Sequence, residues 1–131
     1  MYSKIDLIEA KDSPRLSEDN TLCWYEGDVF SINWKITLLD DQGNMKEFQP
    51  TDHLLFQFYS EDNPNKPVAK FDFTNITKDY VTLNFTSAIS KKMPAGTYTY
   101  CVKYITYTDE GSVNTITTVG ANGIAKVDNC H

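Results

Sequence analysis

The stretch Phe30-Ser31-Ile32-Asn33-Trp34-Lys35-Ile36-Thr37-Leu38 alternates large apolar side chains with polar ones, without a break. Along an extended chain successive side chains point to opposite faces, so Phe30, Ile32, Trp34, Ile36 and Leu38 share one side. A helix would scatter the same five residues around its circumference, and the period of two therefore predicts a half-buried strand. Asp40-Asp41-Gln42-Gly43-Asn44 follows, a cluster of residues that bond their own backbone or tolerate positive φ, and the chain reverses there.

The same pattern recurs downstream. Leu54, Phe56 and Phe58 alternate up to Ser60-Glu61-Asp62-Asn63-Pro64-Asn65-Lys66-Pro67, where two prolines remove ladder donors and predict a polar loop. Ala69, Phe71 and Phe73 mark another strand, and Val81, Leu83 and Phe85 the next, with Asn75-Ile76-Thr77-Lys78-Asp79 as the reversal between them. Ser87 to Lys92 reads as a short helical turn, stopped by Met93-Pro94-Ala95-Gly96. Tyr98, Tyr100, Val102 and Tyr104 again share one parity, Asp109-Glu110-Gly111-Ser112 is a hairpin turn, and Val113 to Val119 is the returning strand. Gly120-Ala121-Asn122-Gly123 reads as a connection to a last strand, Ile124 to Val127.

Before this body, Tyr2 to Ala10 reads as a strand, and Asp12 to Asn20 as a polar link carrying Pro14. The sum is about seven or eight strands with no helix long enough to cross over a parallel sheet. An antiparallel β-sandwich is predicted, with a closed barrel as the alternative that strand count does not separate from it. At 131 residues the chain forms one domain, residues 1–131, in which 1–20 is an N-terminal strand and link and 21–131 the main sandwich.

Charge narrows the partners. Eighteen acidic residues against 12 basic ones leave a formal charge of −6, which repels phosphate backbones and anionic lipid, so neither nucleic acid nor a membrane surface is expected. No apolar run approaches the roughly 18 to 20 residues of a membrane-spanning helix, and Met1-Tyr2-Ser3-Lys4-Ile5-Asp6 does not read as an export signal. Cys23, Cys101 and Cys130 are odd in number and widely spaced, which predicts reduced thiols. A Cys23 to Cys101 bridge in the antibody manner is disfavoured by parity, because Tyr98 and Cys101, three apart, point to opposite faces.

Motifs that would carry chemistry are weak. The histidines are His53 and His131, neither accompanied by a recognisable nucleophile motif, and Asp52-His53 reads as a solvated strand entry. Asp40, Asp41 and Asn44 resemble part of a calcium loop but lack its remaining oxygen ligands. No catalytic residue, metal site or cofactor is expected. Most of the eight Tyr, seven Phe and two Trp fall on inward parity; Trp24, Tyr25, Tyr59 and Tyr107 lie near strand ends or on the opposite parity and are the candidate partner contacts.

With these elements in order, the run from Tyr25 to Val127 resembles the immunoglobulin-like N-terminal domain of phage baseplate upper proteins and related small phage virion domains. The features that carry the resemblance are Gly27-Asp28 opening the first alternating strand, Phe30 to Ile36, and the turn Asp41-Gln42-Gly43-Asn44. Thr51-Asp52 then leads into Leu54-Leu55-Phe56-Gln57-Phe58, Met93-Pro94-Ala95-Gly96-Thr97-Tyr98 opens a long strand, and Gly111 turns it into a Thr-rich return. The resemblance implies an immunoglobulin-like β-sandwich and a non-enzymatic virion protein of the baseplate or tail, the neck or the capsid decoration. Such a protein is made in the host bacterial cytoplasm, works through contacts with other virion proteins, and is present as a homo-oligomer or as many copies in a symmetric particle. It offers no catalytic residues to carry over. The N-terminal strand and link are suited to reach onto a neighbouring subunit. The alternative from another class is an immunoglobulin-like adhesin or carbohydrate-binding module, with Trp24, Tyr25, Tyr59 or Tyr107 as stacking residues.

Overall fold

The computed structural model describes residues 2–9, 15–16, 21–39 and 42–129. Asp40, Asp41, Cys130, His131 and most of the predicted polar link lie outside the described residues. Ten strands run in chain order as β1 Tyr2–Glu9, β2 Arg15–Leu16, β3 Leu22–Tyr25, β4 Phe30–Leu39, β5 Met45–Lys46, β6 His53–Ser60, β7 Ala69–Phe73, β8 Tyr80–Phe85, β9 Gly96–Tyr107 and β10 Val113–Asp128, with one helical turn, α1 Ser87–Ser90, before β9.

The strands form two sheets. In the first, β4 pairs with β1 along one edge, while β8 and β5 share the other, β8 beside Phe30 to Lys35 and β5 beside Leu38 and Leu39. The second runs β2-β3-β10-β9-β6-β7. Among the described residues no ladder joins the two sheets, so the architecture is a sandwich. Among the described residues all pairings are antiparallel except β3 with β10, which run parallel from Leu22 opposite Ala125 to Tyr25 opposite Asp128.

Inward parity follows the alternation of the sequence. Ile32, Trp34 and Leu38 of β4 and Val81, Leu83 and Phe85 of β8 meet Leu54, Phe56 and Phe58 of β6 and Tyr98, Val102 and Tyr104 of β9, all nearly or fully buried. Aromatic rings bridge the gap. Trp24 of β3 lies 5.2 Å from Phe30 and 5.3 Å from Phe85, and Phe30 stacks on Phe85 at 4.6 Å between centroids. Trp34 stacks on Phe56 at 5.2 Å. These separations fall within the range in which ring pairs attract beyond simple area burial.

One end of the sandwich is tied by short polar bonds. Ser90, buried at the end of α1, donates to the Asp28 carbonyl at 2.5 Å; the Ala95 N–H donates to Glu26 Oε2 at 3.0 Å. Tyr98, near the start of β9, donates its hydroxyl to the Pro94 carbonyl four residues upstream at 2.6 Å. A tyrosine in this place, bonded back to the preceding corner, is a hallmark of immunoglobulin-like sandwiches, and the strand order agrees with that fold. The two described cysteines, Cys23 and Cys101, are free and sit on the outward parity of the six-stranded sheet, while the positions that face across the core are apolar.

Several expectations are corrected. Gly120-Ala121-Asn122-Gly123 does not connect two strands: β10 is continuous, and its register against β9 slips by one residue between Val113 and Thr115, between Thr118 and Gly120 and between Gly120 and Gly123. Extra residues are absorbed as bulges, two of them at Gly120 and Gly123, where glycine allows the backbone to bend without leaving the ladder, and one at Asn114. Leu22 to Tyr25 and Met45 to Lys46 are additional strands that were too short to show a period. The N-terminal strand pairs with β4 of its own chain from Tyr2 opposite Leu39 to Glu9 opposite Asn33.

Gly123 shows why the bulged register is specific. A Cβ built there would lie 2.0 Å from Cζ of Tyr100, a ring held between Trp34 at 5.5 Å and Phe58 at 5.3 Å. Gly123→Ala therefore forces that ring out of place and is expected to lower stability by about 1–3 kcal/mol. The check is a urea midpoint that falls with an unchanged m-value; an unaltered midpoint would contradict the packing described.

Candidate functional site

The outward face of the six-stranded sheet is less polar than a solvated face should be. Leu55 lies between Asp72 of β7 and Lys103 of β9, and Ile105 lies between His53 of β6 and Ile116 of β10. Tyr59, Thr99 and Ile124 form a further row. Leu55, Ile105, Tyr59 and Tyr107 are half-buried by their neighbours, while Ile116 is 59% exposed and Ile124 42%. Charged residues on the short edge strand β7, Lys70 and Asp72, flank this stripe.

The four aromatic candidates do not converge. Trp24 is 2% exposed and belongs to the core against Phe30 and Phe85, which corrects its assignment as a contact residue: β3 is a strand, and Leu22 and Trp24 take its inward parity. Tyr25, next along β3, is exposed and held in a turn, where its N–H donates to Asp28 Oδ2 and its carbonyl accepts from the Asp28 N–H. Tyr59 and Tyr107 both face outward, but Tyr59 pairs with Thr99, so about eight residues or roughly 26 Å of β9 separate the two levels. Only Tyr107 gains a chemically interesting neighbour. Its ring meets His53 edge-on at 5.1 Å, and His53 Nδ1–H donates to Asp72 Oδ1 at 2.9 Å.

Beside Tyr107 the β9–β10 hairpin projects past the loop that precedes β6. The hairpin closes through Thr108 N–H to the Ser112 carbonyl and Gly111 N–H to the Thr108 carbonyl, with Gly111 at φ +84°. Between hairpin and loop lies a cavity of about 490 Å³ lined by Gln49, Asp52, Thr106, Asp109 and Asn114 among others. Tyr107, Thr51 and Asp109 also line a second recess of about 370 Å³, which has His53 on its wall.

Asp52 is not the solvated strand entry expected for the Asp-His pair. It is 2% exposed, and its Oδ2 accepts both the Tyr104 hydroxyl at 2.5 Å and the Gln49 N–H at 2.9 Å, while its own N–H donates to the Gln49 carbonyl. Sequence reasoning missed it because an aspartate beside a strand is ordinarily solvated; the partner that buries it lies 52 positions away. The off-parity Leu55 and Ile105 were equally unremarked, although the doublets Leu54-Leu55 and Tyr104-Ile105 do break the alternation.

Among the described residues no group of three or more His, Cys, Asp or Glu could hold a metal ion, and no helix is long and apolar enough to cross a membrane. Among the described residues four tyrosines resist ionisation. Burial raises Tyr104 far above the ordinary phenol range, helped by its bond to Asp52 and by that carboxylate's charge. Burial likewise raises Tyr100, Tyr98 (with Asp62 and Glu26 adding repulsion) and Tyr59 (with Cys101 adding to it).

Because the unfolded chain releases these protons near pH 10 while the fold retains them, stability is full below about pH 10 and declines as pH rises past it. An absorbance titration of tyrosinate is expected to show the buried phenols ionising together with unfolding. Tyr104→Phe, which strips Asp52 Oδ2 of its side-chain donor, is expected to cost about 1–3 kcal/mol in a thermal melt at neutral pH.

No family model, curated protein or solved structure matches the chain.

Proposed function

We propose that this protein is a non-enzymatic structural component of a bacteriophage particle, in the baseplate or tail, the neck or the capsid decoration, and that it acts through protein–protein contacts as one of many copies. The observation that carries this reading is the apolar stripe on the outer face of the six-stranded sheet, where Leu55, Tyr59, Ile105 and Ile116 occupy positions that a solitary domain would fill with polar side chains. Such a face loses water favourably against a matching surface, and its charged margin at Lys70 and Asp72 resembles the polar rim of a protein interface. The order and spacing of the alternating strands, from Gly27-Asp28 through the Thr-rich return after Gly111, supply the phage element of the reading.

One observation favours the second reading, a carbohydrate-binding module: Tyr107 stands between two recesses lined by hydroxyl, amide and carboxylate groups.

The test is copurification with intact phage particles. Wild-type protein is expected to sediment with particles. Ile116→Lys, at a side chain 59% exposed, should change folding stability by no more than about 0.5 kcal/mol yet abolish incorporation. Protein that stays in the soluble fraction of a phage lysate, or full incorporation of the lysine variant, would count against the proposal.

A further inference from the structure

The groove at the root of the β9–β10 hairpin has more construction than a gap between loops requires. Its floor is a carboxylate removed from bulk water. Asp52 is fixed through Oδ2, which takes the donors of both Tyr104 and Gln49 and leaves Oδ1 as the carboxylate's other acceptor, and Asp52 lines the cavity. A charged acceptor held this firmly has already lost its rotamer freedom, so a ligand hydroxyl that reaches Oδ1 meets little further ordering cost.

The walls continue the same chemistry. Thr106 and Thr115 share a hydrogen bond between their hydroxyls at 2.5 Å, which consumes one proton and leaves the other O–H to donate elsewhere. Asn114 and Asp109 add a planar amide and a planar carboxylate, groups that can each engage two neighbouring hydroxyls. At the junction with the second recess stands Tyr107, its ring steadied edge-on by His53, which is in turn bonded to Asp72. An aromatic ring among acceptors and donors of this kind matches a ligand with an apolar C–H face and a polar circumference. A peptide strand would call for a row of free backbone groups; a nucleotide's phosphates would find one cationic side chain here, Lys46, against the two carboxylates of Asp52 and Asp109, a balance that opposes them.

We propose that this groove is a binding site for a neutral oligosaccharide, lying across Tyr107 with its hydroxyls taken by Asp52, Asp109, Asn114 and the Thr106–Thr115 pair. The two recesses, about 490 and 370 Å³, are each in the size range of small-ligand sites, and their shared wall at Tyr107 suits a ligand of two or three sugar units over a single one. The site adjoins the contact stripe proposed above at His53 and Asp72 but uses none of its apolar residues, and a virion protein or a free-standing module accommodates it equally.

The experiment is a titration of the ¹⁵N-labelled full chain with cellobiose, maltotriose, lactose and chitobiose, followed by amide chemical shifts. Saturable shifts for at least one of them at a Kd at or below about 1 mM, centred on residues 49–53 and 106–115, are the expected result. Tyr107→Ala and Asn114→Ala should each weaken binding about tenfold or more, Tyr107→Phe should retain it because the ring remains, and Tyr25→Ala, on a distant strand, should leave it unchanged. Dispersed spectra of each variant verify folding. The proposal is overturned by no saturable shift with any of the four sugars, by shifts centred elsewhere, or by binding indifferent to both alanine variants at the groove.

Discussion

The closure of the two sheets over a shared layer of aromatic rings is the constraint on which every other feature depends. Trp24 of one sheet packs into the Phe30–Phe85 stack of the other, and Phe58 joins the same group through Phe85. Large rings fill the roughly 10 Å between facing sheets with few side chains, and their preferred tilted and stacked contacts fix how the layers slide against each other. Because the layers are held in one alignment, the register of β9 against β6 and β10 is fixed as well, and with it the identity of the residues left outside.

What remains outside divides into two surfaces of different character. The broad face of the six-stranded sheet offers apolar area interrupted by Lys103 of β9 and edged by Lys70 and Asp72 of β7; the hairpin root offers oriented polar groups around one ring. Both arise from β9, whose 12 residues run beyond β6 at both ends: its middle carries Cys101, Lys103 and Ile105 outward, and its far end carries Thr106 and Tyr107 past the start of β6 at His53. A single long strand thus links the core, through Tyr98, Val102 and Tyr104, to both surfaces.

Much of the fold was legible from period alone. β4, β6, β7, β8 and β9 follow alternations in which burial is strong enough to leave a visible trace, and α1 sits where a proline and a glycine limit a helix. Elements of two to four residues left no such trace, and Trp24 was misplaced for that reason: its burial depends on β3 pairing with β10, about 100 positions later in the chain. Gly120 to Gly123 was misread because glycine serves loops and bulges alike, and only the presence of the Tyr100 ring decides between them. Of the site, Tyr107 and Tyr59 were visible as aromatics on the wrong parity. Asp52 was not, since the hydroxyl that holds it, from Tyr104, comes from a strand 52 positions away that no local pattern connects to its own loop at Gln49.

The three slips in β10 carry an implication for how such a domain diversifies. Each supernumerary residue exchanges the side of the sheet to which the following residues project, while Ala125 and Val127 near the strand's end stay locked in the interior. Gain or loss of one amino acid in this stretch would thus rewrite the exterior lettering of the hairpin without disturbing the hydrophobic anchor beneath, a route by which one scaffold could acquire new recognition properties in very few evolutionary steps.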